Sequence, residues 1–205
     1  MEKGKEVIPY KIGLISTHGT GKTTLVYEVA SEFKKRGFNV GIVSEVVREA
    51  IEEGIPINNE TTLDAQLHIL LRHMAKELKA TIKGHDVVIC DRSVFDNLIY
   101  LERKFGRQQF IFDLVINYAK QSPYSALYKI PLVGELEEDG VREGKDKEFQ
   151  EEVFTKLTDF LQENKIPHVE LPSPNTEFRK EWTDWIINDA LKVLNPKKQK
   201  WQKTL

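Results

Sequence analysis

The chain alternates short apolar runs with longer segments in which apolar residues recur every three or four positions. The short runs predict buried strands, and the periodic segments predict helices packed on a sheet. The predicted strands are 10–15, 39–43, 86–90, 126–130 and 167–171, and the predicted helices are 23–35, 46–53, 63–83, 94–103, 108–120, 148–164 and 176–194. This alternation favours an α/β fold of three α/β/α layers around a mostly five-stranded parallel sheet. We see no linker or internal repeat, so residues 1–205 are predicted to form a single domain.

Two predicted helices carry apolar stripes that are expected to face the core. The stripe of the long helix comprises Leu63, Leu67, Leu70, Leu71, Met74 and Leu78, and that of the last helix comprises Trp182, Trp185, Ile186 and Ile187. Residues 133–147 are rich in glycine and charge without apolar periodicity, which predicts a mobile loop. Residues 195–205 form a basic tail that is expected to be frayed.

A glycine-rich segment, Ser-Thr-His-Gly-Thr-Gly-Lys-Thr-Thr at 16–24, lies directly between the first predicted strand and a helix. In this context the backbone N–H groups of such a loop surround phosphate oxygens at the helix N-terminus. Lys22 is expected to reach the terminal phosphates, and the Thr23 hydroxyl to bind Mg²⁺; an ordinary turn is the alternative. The residues predicted to hold the nucleotide are Thr17, His18, Gly19, Thr20, Gly21, Lys22, Thr23 and Thr24.

The segment departs once from the pattern G-x-x-x-x-G-K-[ST], because Ser16 stands where the first glycine is expected. If the backbone there were left-handed, serine would cost about 1–2 kcal/mol.

Three predicted strands end in polar residues: Ser16, Glu45 and Asp91. Ligands of parallel sheets bind at the carboxyl ends of the strands, so these residues are predicted to converge. Asp91 follows the apolar run 87–90, a pattern typical of a carboxylate that holds Mg²⁺ beside a phosphate loop. Capping of the next helix is the alternative role for Asp91.

The neighbouring charged residues have both functional and structural interpretations. The planar guanidinium of Arg92 suits phosphate oxygens, but it could instead pair with Asp91 or Glu45, and Asp96 could orient it. Glu45 could act on a substrate, or could be an acidic residue in a first helical turn that pairs with Arg48.

Gly19 to Thr24, a glutamate after the second strand and Asp91-Arg92-Ser93 after the third together resemble the P-loop nucleoside and nucleotide kinases. The nearest branch is that of the deoxynucleoside and nicotinamide riboside kinases with their AAA-domain ATPase relatives. The resemblance implies a P-loop NTPase fold in which Glu45 is the general base and Arg92 contacts the substrate. It also implies an arginine-bearing lid at 133–147, with Arg142 as the catalytic candidate. The carboxylates of that segment, among them Glu135, Glu137, Glu138, Asp139 and Glu143, depart from the arginine-rich lids of the family.

Other candidates have simpler interpretations. Gln66, His68, Arg72 and His73 could border an acceptor pocket, but a polar helix face is the expected explanation. Tyr100 and four nearby aromatic residues are expected in the core or an interface rather than in a base-stacking platform.

Composition narrows the function classes. A net charge of -2 makes nucleic-acid binding unlikely, and no apolar run approaches the length of a membrane span. The single cysteine, Cys90, allows no intrachain disulfide, which favours a cytoplasmic setting.

The leading hypothesis is an ATP- and Mg²⁺-dependent transfer of the γ-phosphoryl group to a small nucleoside- or nucleotide-like acceptor. The alternative is an NTP-driven switch or ATPase that acts on a protein or RNA. The sequence leaves the acceptor, the choice between ATP and GTP, and possible homodimer formation open.

Overall fold

A computed structural model describes residues 8–57, 60–132, 147–172 and 178–194. The strands are β1 Tyr10–Ile15, β2 Val40–Val43, β3 Val87–Asp91, β4 Ala126–Lys129 and β5 Val169–Glu170. The helices are α1 Lys22–Lys35, α2 Val46–Glu52, α3 Leu63–Ile82, α4 Val94–Phe105, α5 Gln109–Gln121, α6 Lys147–Glu163 and α7 Phe178–Leu191. All predicted elements are present, and their ends differ by only a few residues from the predicted ends.

The five strands form one parallel sheet in the order β2-β3-β1-β4-β5, as predicted. One face of the sheet packs against α1 and α7, through residues such as Phe33, Trp182 and Ile186. The other face packs against α3, α4, α5 and α6, through residues such as Leu70 and Leu98. Helices on both faces give the predicted three-layer architecture.

Three of the residues predicted to be in the core lie at the surface instead: Leu71, Leu78 and Trp185 are 46%, 44% and 49% exposed. On α3 the buried stripe runs through Leu70, Met74 and two polar residues, His73 and Glu77, so that Leu71 and Leu78 face outwards. On α7 the stripe runs at intervals of four, through Trp182, Ile186 and Ala190, and leaves Trp185 at its edge.

A buried polar cluster centred on Glu77 joins α3 to β1 inside the core. The Glu77 carboxylate, which is fully buried, lies 2.8 Å from Lys11 Nζ and 3.0 Å from His73 Nε2. It also accepts hydrogen bonds from the hydroxyl groups of Tyr118 and Tyr124. Burial alone would raise the pKa of Glu77, but His73 and the Lys11 ammonium group outweigh it and lower the pKa to about 2.

The parallel register places the site. Leu14 in β1 pairs with Asp91 in β3, so the two strands end level with each other. The loop that follows β1 and the turn that follows β3 therefore emerge side by side.

Candidate active site

The glycine-rich loop between β1 and α1 turns at two glycines with left-handed backbones, Gly19 at φ 70° and Gly21 at φ 75°. Among the described non-glycine residues only Arg92 and Lys165 have positive φ, so Ser16 carries no left-handed strain. Its N–H donates to Asp96 Oδ1 at 3.1 Å, and its hydroxyl donates to the Ile130 carbonyl at 2.9 Å. The serine therefore ties the start of the loop to α4 and to the end of β4.

Lys22 is buried and turns back into the loop. Its ammonium group donates to the Thr17 carbonyl and lies 3.2 Å from Thr20 Oγ1. Burial, aided by the charge of Arg92, lowers the pKa of Lys22 to about 7. A phosphate oxygen bound in the loop would compete for this ammonium group and favour its charged form.

The two predicted metal ligands meet directly. Thr23 Oγ1 donates to Asp91 Oδ2 at 2.6 Å, and Asp91 is almost fully buried. No cluster of three or more His, Cys, Asp or Glu residues with metal-binding geometry occurs in the described ranges. Mg²⁺ at phosphate sites commonly takes only one or two protein oxygens and completes its shell with water and phosphate, so this hydroxyl–carboxylate pair fits it.

Arg92 combines a strained backbone with a partly satisfied side chain. Its φ is 85°, its Nε donates to Glu45 Oε1 at 2.8 Å, and its guanidinium lies 5.0 Å from the centre of the Tyr100 ring. The side chain is 4% exposed, and its Nη1 has no hydrogen-bond partner in the part of the chain that the structure describes. Arg92 therefore forms the structural ion pair with Glu45 that was the alternative to a phosphate contact. The pair leaves Nη1 available as a buried donor.

Glu45 directly precedes α2 and is also buried. Its second carboxylate oxygen lies 3.6 Å from Arg48 Nε, across one helical turn. Farther along, Arg72 of α3 pairs with Glu49 and Glu53, and therefore joins α3 to α2. Both arginines beside Glu45 thus orient its carboxylate, whereas Arg72 ties the two helices together.

Asp96 has a different role from the predicted orientation of Arg92. One of its oxygens accepts from Ser93 N and Ser93 Oγ, both at 2.7 Å, and the other accepts from Ser16 N. Ser93 in turn caps α4 by accepting from the backbone of Phe95 and Asp96. This capping box fixes the Asp91–Ser93 turn against the phosphate loop.

Sequence reasoning missed a contact between the loop and the start of α6. Gln150 donates to the His18 carbonyl at 3.1 Å, and the His18 ring lies 5.4 Å from that of Phe149. His18 Nδ1 and Tyr100 OH are 3.3 Å apart. The sequence did contain a signal for this contact. Gln150 is a polar residue on the apolar stripe of α6, three residues before Val153, and a buried amide needs a hydrogen-bond partner. Tyr100 therefore contacts the loop and Arg92 rather than serving only as a core residue.

Three predictions concern residues outside the described ranges: the mobile lid loop, the catalytic role of Arg142 and the frayed tail. Arg142 and the rest of 133–146 belong to this group, as does the basic tail 195–205. Lys147, the last residue of the predicted lid, is the first residue of α6.

A family model for AAA domains matches residues 11–179, which include both the loop and the Asp91–Ser93 turn. The chain belongs to this family. The predicted resemblance to P-loop nucleoside and nucleotide kinases and their AAA-domain relatives is confirmed. No helix in the described part of this AAA domain is long and apolar enough to span a membrane.

Several curated proteins share part of the sequence of this AAA domain. Thymidylate kinase of Bacillus pumilus (strain SAFR-032) is 30% identical over 92 residues, which are 40% of this chain and 43% of that enzyme. A signal recognition particle 54 kDa protein of Acidianus ambivalens is 34% identical over 94 residues, 41% of this chain and 20% of that protein. The matched region spans less than half the length of each relative.

Solved structures share the fold of the AAA domain across most of its length. A NadR protein in complex with NR gives a TM-score of 0.71 at 17% identity, over 95% of this chain and 54% of NadR. A deoxyadenosine kinase from M. mycoides gives 0.60 at 19% identity, over 89% of this chain and all of the enzyme. These values establish a shared kinase-like P-loop architecture.

Proposed function

We propose that this chain transfers the γ-phosphoryl group of ATP to a hydroxyl or phosphate group of a small, nucleoside-like acceptor. The observation that carries the proposal is Arg92, a buried and permanently charged group beside the phosphate loop and the Thr23–Asp91 pair, with one donor that no described residue pairs. An unpaired buried donor is costly, and an anionic ligand is the partner that best offsets the cost. Kinases among the similar proteins support the same reaction class.

Each residue would have a separate role in this reaction. Lys22 and the loop N–H groups would bind the phosphates and stabilise the charge that develops on them. Thr23 and Asp91 would hold Mg²⁺, which supplies charge neutralisation at the phosphate oxygens. Arg92 would bind the transferring or accepting phosphoryl group, with Arg142 as the proposed second arginine.

Glu45 would remove the proton of an acceptor hydroxyl. Substitution of Glu45 therefore tests whether the acceptor is a hydroxyl or a phosphate. In Glu45→Gln, turnover with a hydroxyl acceptor should fall by about 10²–10⁴-fold while nucleotide affinity stays unchanged. Turnover with a phosphate acceptor should fall much less, because a phosphate oxygen has no proton to remove and the glutamine oxygen can still accept from Arg92 Nε. Glu52→Gln, on the exposed side of α2, is the matched control.

Arg92→Lys tests the reaction itself. It keeps the charge but loses the planar fork, so acceptor-dependent ADP formation should fall by about 10²–10⁴-fold. Arg36→Lys, at the far end of α1, should change nothing. Equal turnover in both variants would refute the role given to Arg92.

A rival proposal is an NTP-driven switch that acts on a protein or RNA, and the partial similarity to a signal recognition particle protein supports it. A panel of nucleosides, nucleotides and small alcohols separates the two. A phosphorylated product in stoichiometry with ADP favours the kinase. Hydrolysis that ignores every acceptor but responds to RNA or protein favours the switch.

A further inference from the structure

A cavity of about 440 Å³ lies at the opposite edge of the sheet from the phosphate loop. It is lined by the first residues of three strands, Tyr10, Ala126 and Val169, whereas the phosphate loop follows the last residue of β1. The six residues of β1 separate the two sites by roughly 15–20 Å, at 3.3 Å per residue. None of the described residues proposed above to bind nucleotide or acceptor lines this cavity.

The walls of the cavity are apolar and aromatic. The ring centres of Phe95 and Tyr124 are 5.9 Å apart, and Ile116 and Ile166 bring aliphatic surface from α5 and from the segment before β5. Tyr124, Ile116 and Ile166 remain partly exposed despite their apolar surface. A volume of this size is in the range of about 300–1,000 Å³ that is typical of small-molecule sites.

The mouth of the cavity is positively charged. Lys120 and Lys165 are both exposed there, and neither forms an ion pair with any residue in the described ranges. Among the described residues of the lining the one carboxylate is Asp189, which already accepts from Tyr128 at 2.7 Å and lies 3.0 Å from Lys192. The charges that remain available to a ligand are therefore cationic.

We propose that this cavity is a second ligand site, which binds a flat amphipathic anion: an aromatic body packed against Tyr124, Ile166 and the edge of Phe95, with a carboxylate or sulfonate group at Lys120 and Lys165. The apolar body matches the walls and the anionic group matches the mouth. A cationic aromatic molecule would fit the walls equally well and would be repelled at the mouth. This site is independent of the proposed kinase reaction.

The test uses the full chain and the fluorescent probe anilinonaphthalene sulfonate, an aromatic anion. We expect saturable binding to a single site that a saturating non-hydrolysable ATP analogue does not displace. Ala119→Phe, which fills the cavity from α5, should weaken the probe at least about tenfold, whereas the exposed Ala75→Phe on α3 should not. Binding in Ala119→Phe equal to that of the unmodified chain, or no saturable binding, would overturn the proposal.

A second pair of variants tests the charge without touching the core. The double variant Lys120→Gln, Lys165→Gln should raise the dissociation constant of the anionic probe about fivefold or more. It should not weaken the binding of the cationic dye thioflavin T. Lys79→Gln combined with Lys83→Gln, two exposed lysines of α3 and its end, is the matched control. An equal effect of the two double variants on the anionic probe would also overturn the proposal.

Discussion

The lowered pKa of Lys22 leads to a measurable prediction about nucleotide binding. With a pKa of about 7, the buried amine is mostly neutral at pH 8 in the free protein. Phosphate oxygens in the loop would return the pKa towards the ordinary lysine range, so the complex holds the proton that the free protein lacks. Nucleotide binding at pH 8 should therefore take up about 0.9 proton per site.

The same linkage fixes how affinity depends on pH. The complex binds more protons than the free protein at every pH between the two pKa values of Lys22, so affinity must fall as pH rises through this window. From pH 8 to pH 9 the dissociation constant of an ATP analogue should increase by about tenfold. Below pH 6 the amine is charged in both states, and this contribution disappears.

Isothermal titration calorimetry in two buffers of different ionisation enthalpy measures the proton uptake. Lys22→Arg keeps a charge that does not titrate, so its complex should take up no proton and its affinity should be independent of pH in this window. Lys35→Arg, at the exposed end of α1, should behave like the unmodified chain. Proton uptake near zero in the unmodified chain at pH 8 would refute the reasoning.

Three further predictions concern stability and can be measured by urea denaturation. Glu77→Gln should lower the free energy of unfolding by about 3–5 kcal/mol because it leaves the Lys11 ammonium group buried without a counter-charge, whereas the exposed Glu163→Gln should not. Since its folded pKa is depressed to about 2, the stability that Glu77 contributes is present above pH 4.5 and is lost as the pH falls towards 2. Asp96→Ala, which removes the capping box and the Ser16 bond, should cost about 2 kcal/mol, against little for Asp113→Ala on α5. Lys165→Gly should stabilise the chain by about 1 kcal/mol because φ is 52° there, whereas Lys156→Gly within α6 should destabilise it by a similar amount.

The strands and the phosphate loop could be predicted because their signals are local. Each apolar run is contiguous, and the residues from Gly19 to Thr23 specify a turn and a helix start within a few positions. The convergence of Asp91 with Thr23 also followed from one rule about parallel strands, and the two side chains meet at 2.6 Å. No long-range information was needed for these features.

The Glu77 cluster could not be predicted because its members are far apart in the chain and, unlike Thr23 and Asp91, belong to no local motif. Lys11 lies 66 residues before Glu77, and Tyr124 lies 47 residues after it. Each residue by itself is an ordinary lysine, glutamate or tyrosine, and Lys11 even interrupts an apolar run. The exposure of Leu71 and Leu78 follows from the same cluster, because polar residues take the inward positions that periodicity assigns to leucine.

Two features of Arg92 lower the stability of the fold, and a purely structural residue would need neither of them. Its left-handed backbone costs about 1–2 kcal/mol, and a buried donor that none of the described residues pairs costs about 1–3 kcal/mol more. The surroundings hold it there through Glu45, the Tyr100 ring and a capping box that fixes Ser93. If Arg92 served only to pair with Glu45, a residue with relaxed backbone and satisfied donors would give a more stable chain. Strain that neighbouring residues actively maintain is typical of ligand-binding positions. The free Nη1 shows what such a ligand must supply, namely an acceptor atom, and the proposed phosphoryl transfer supplies it at this edge of the sheet.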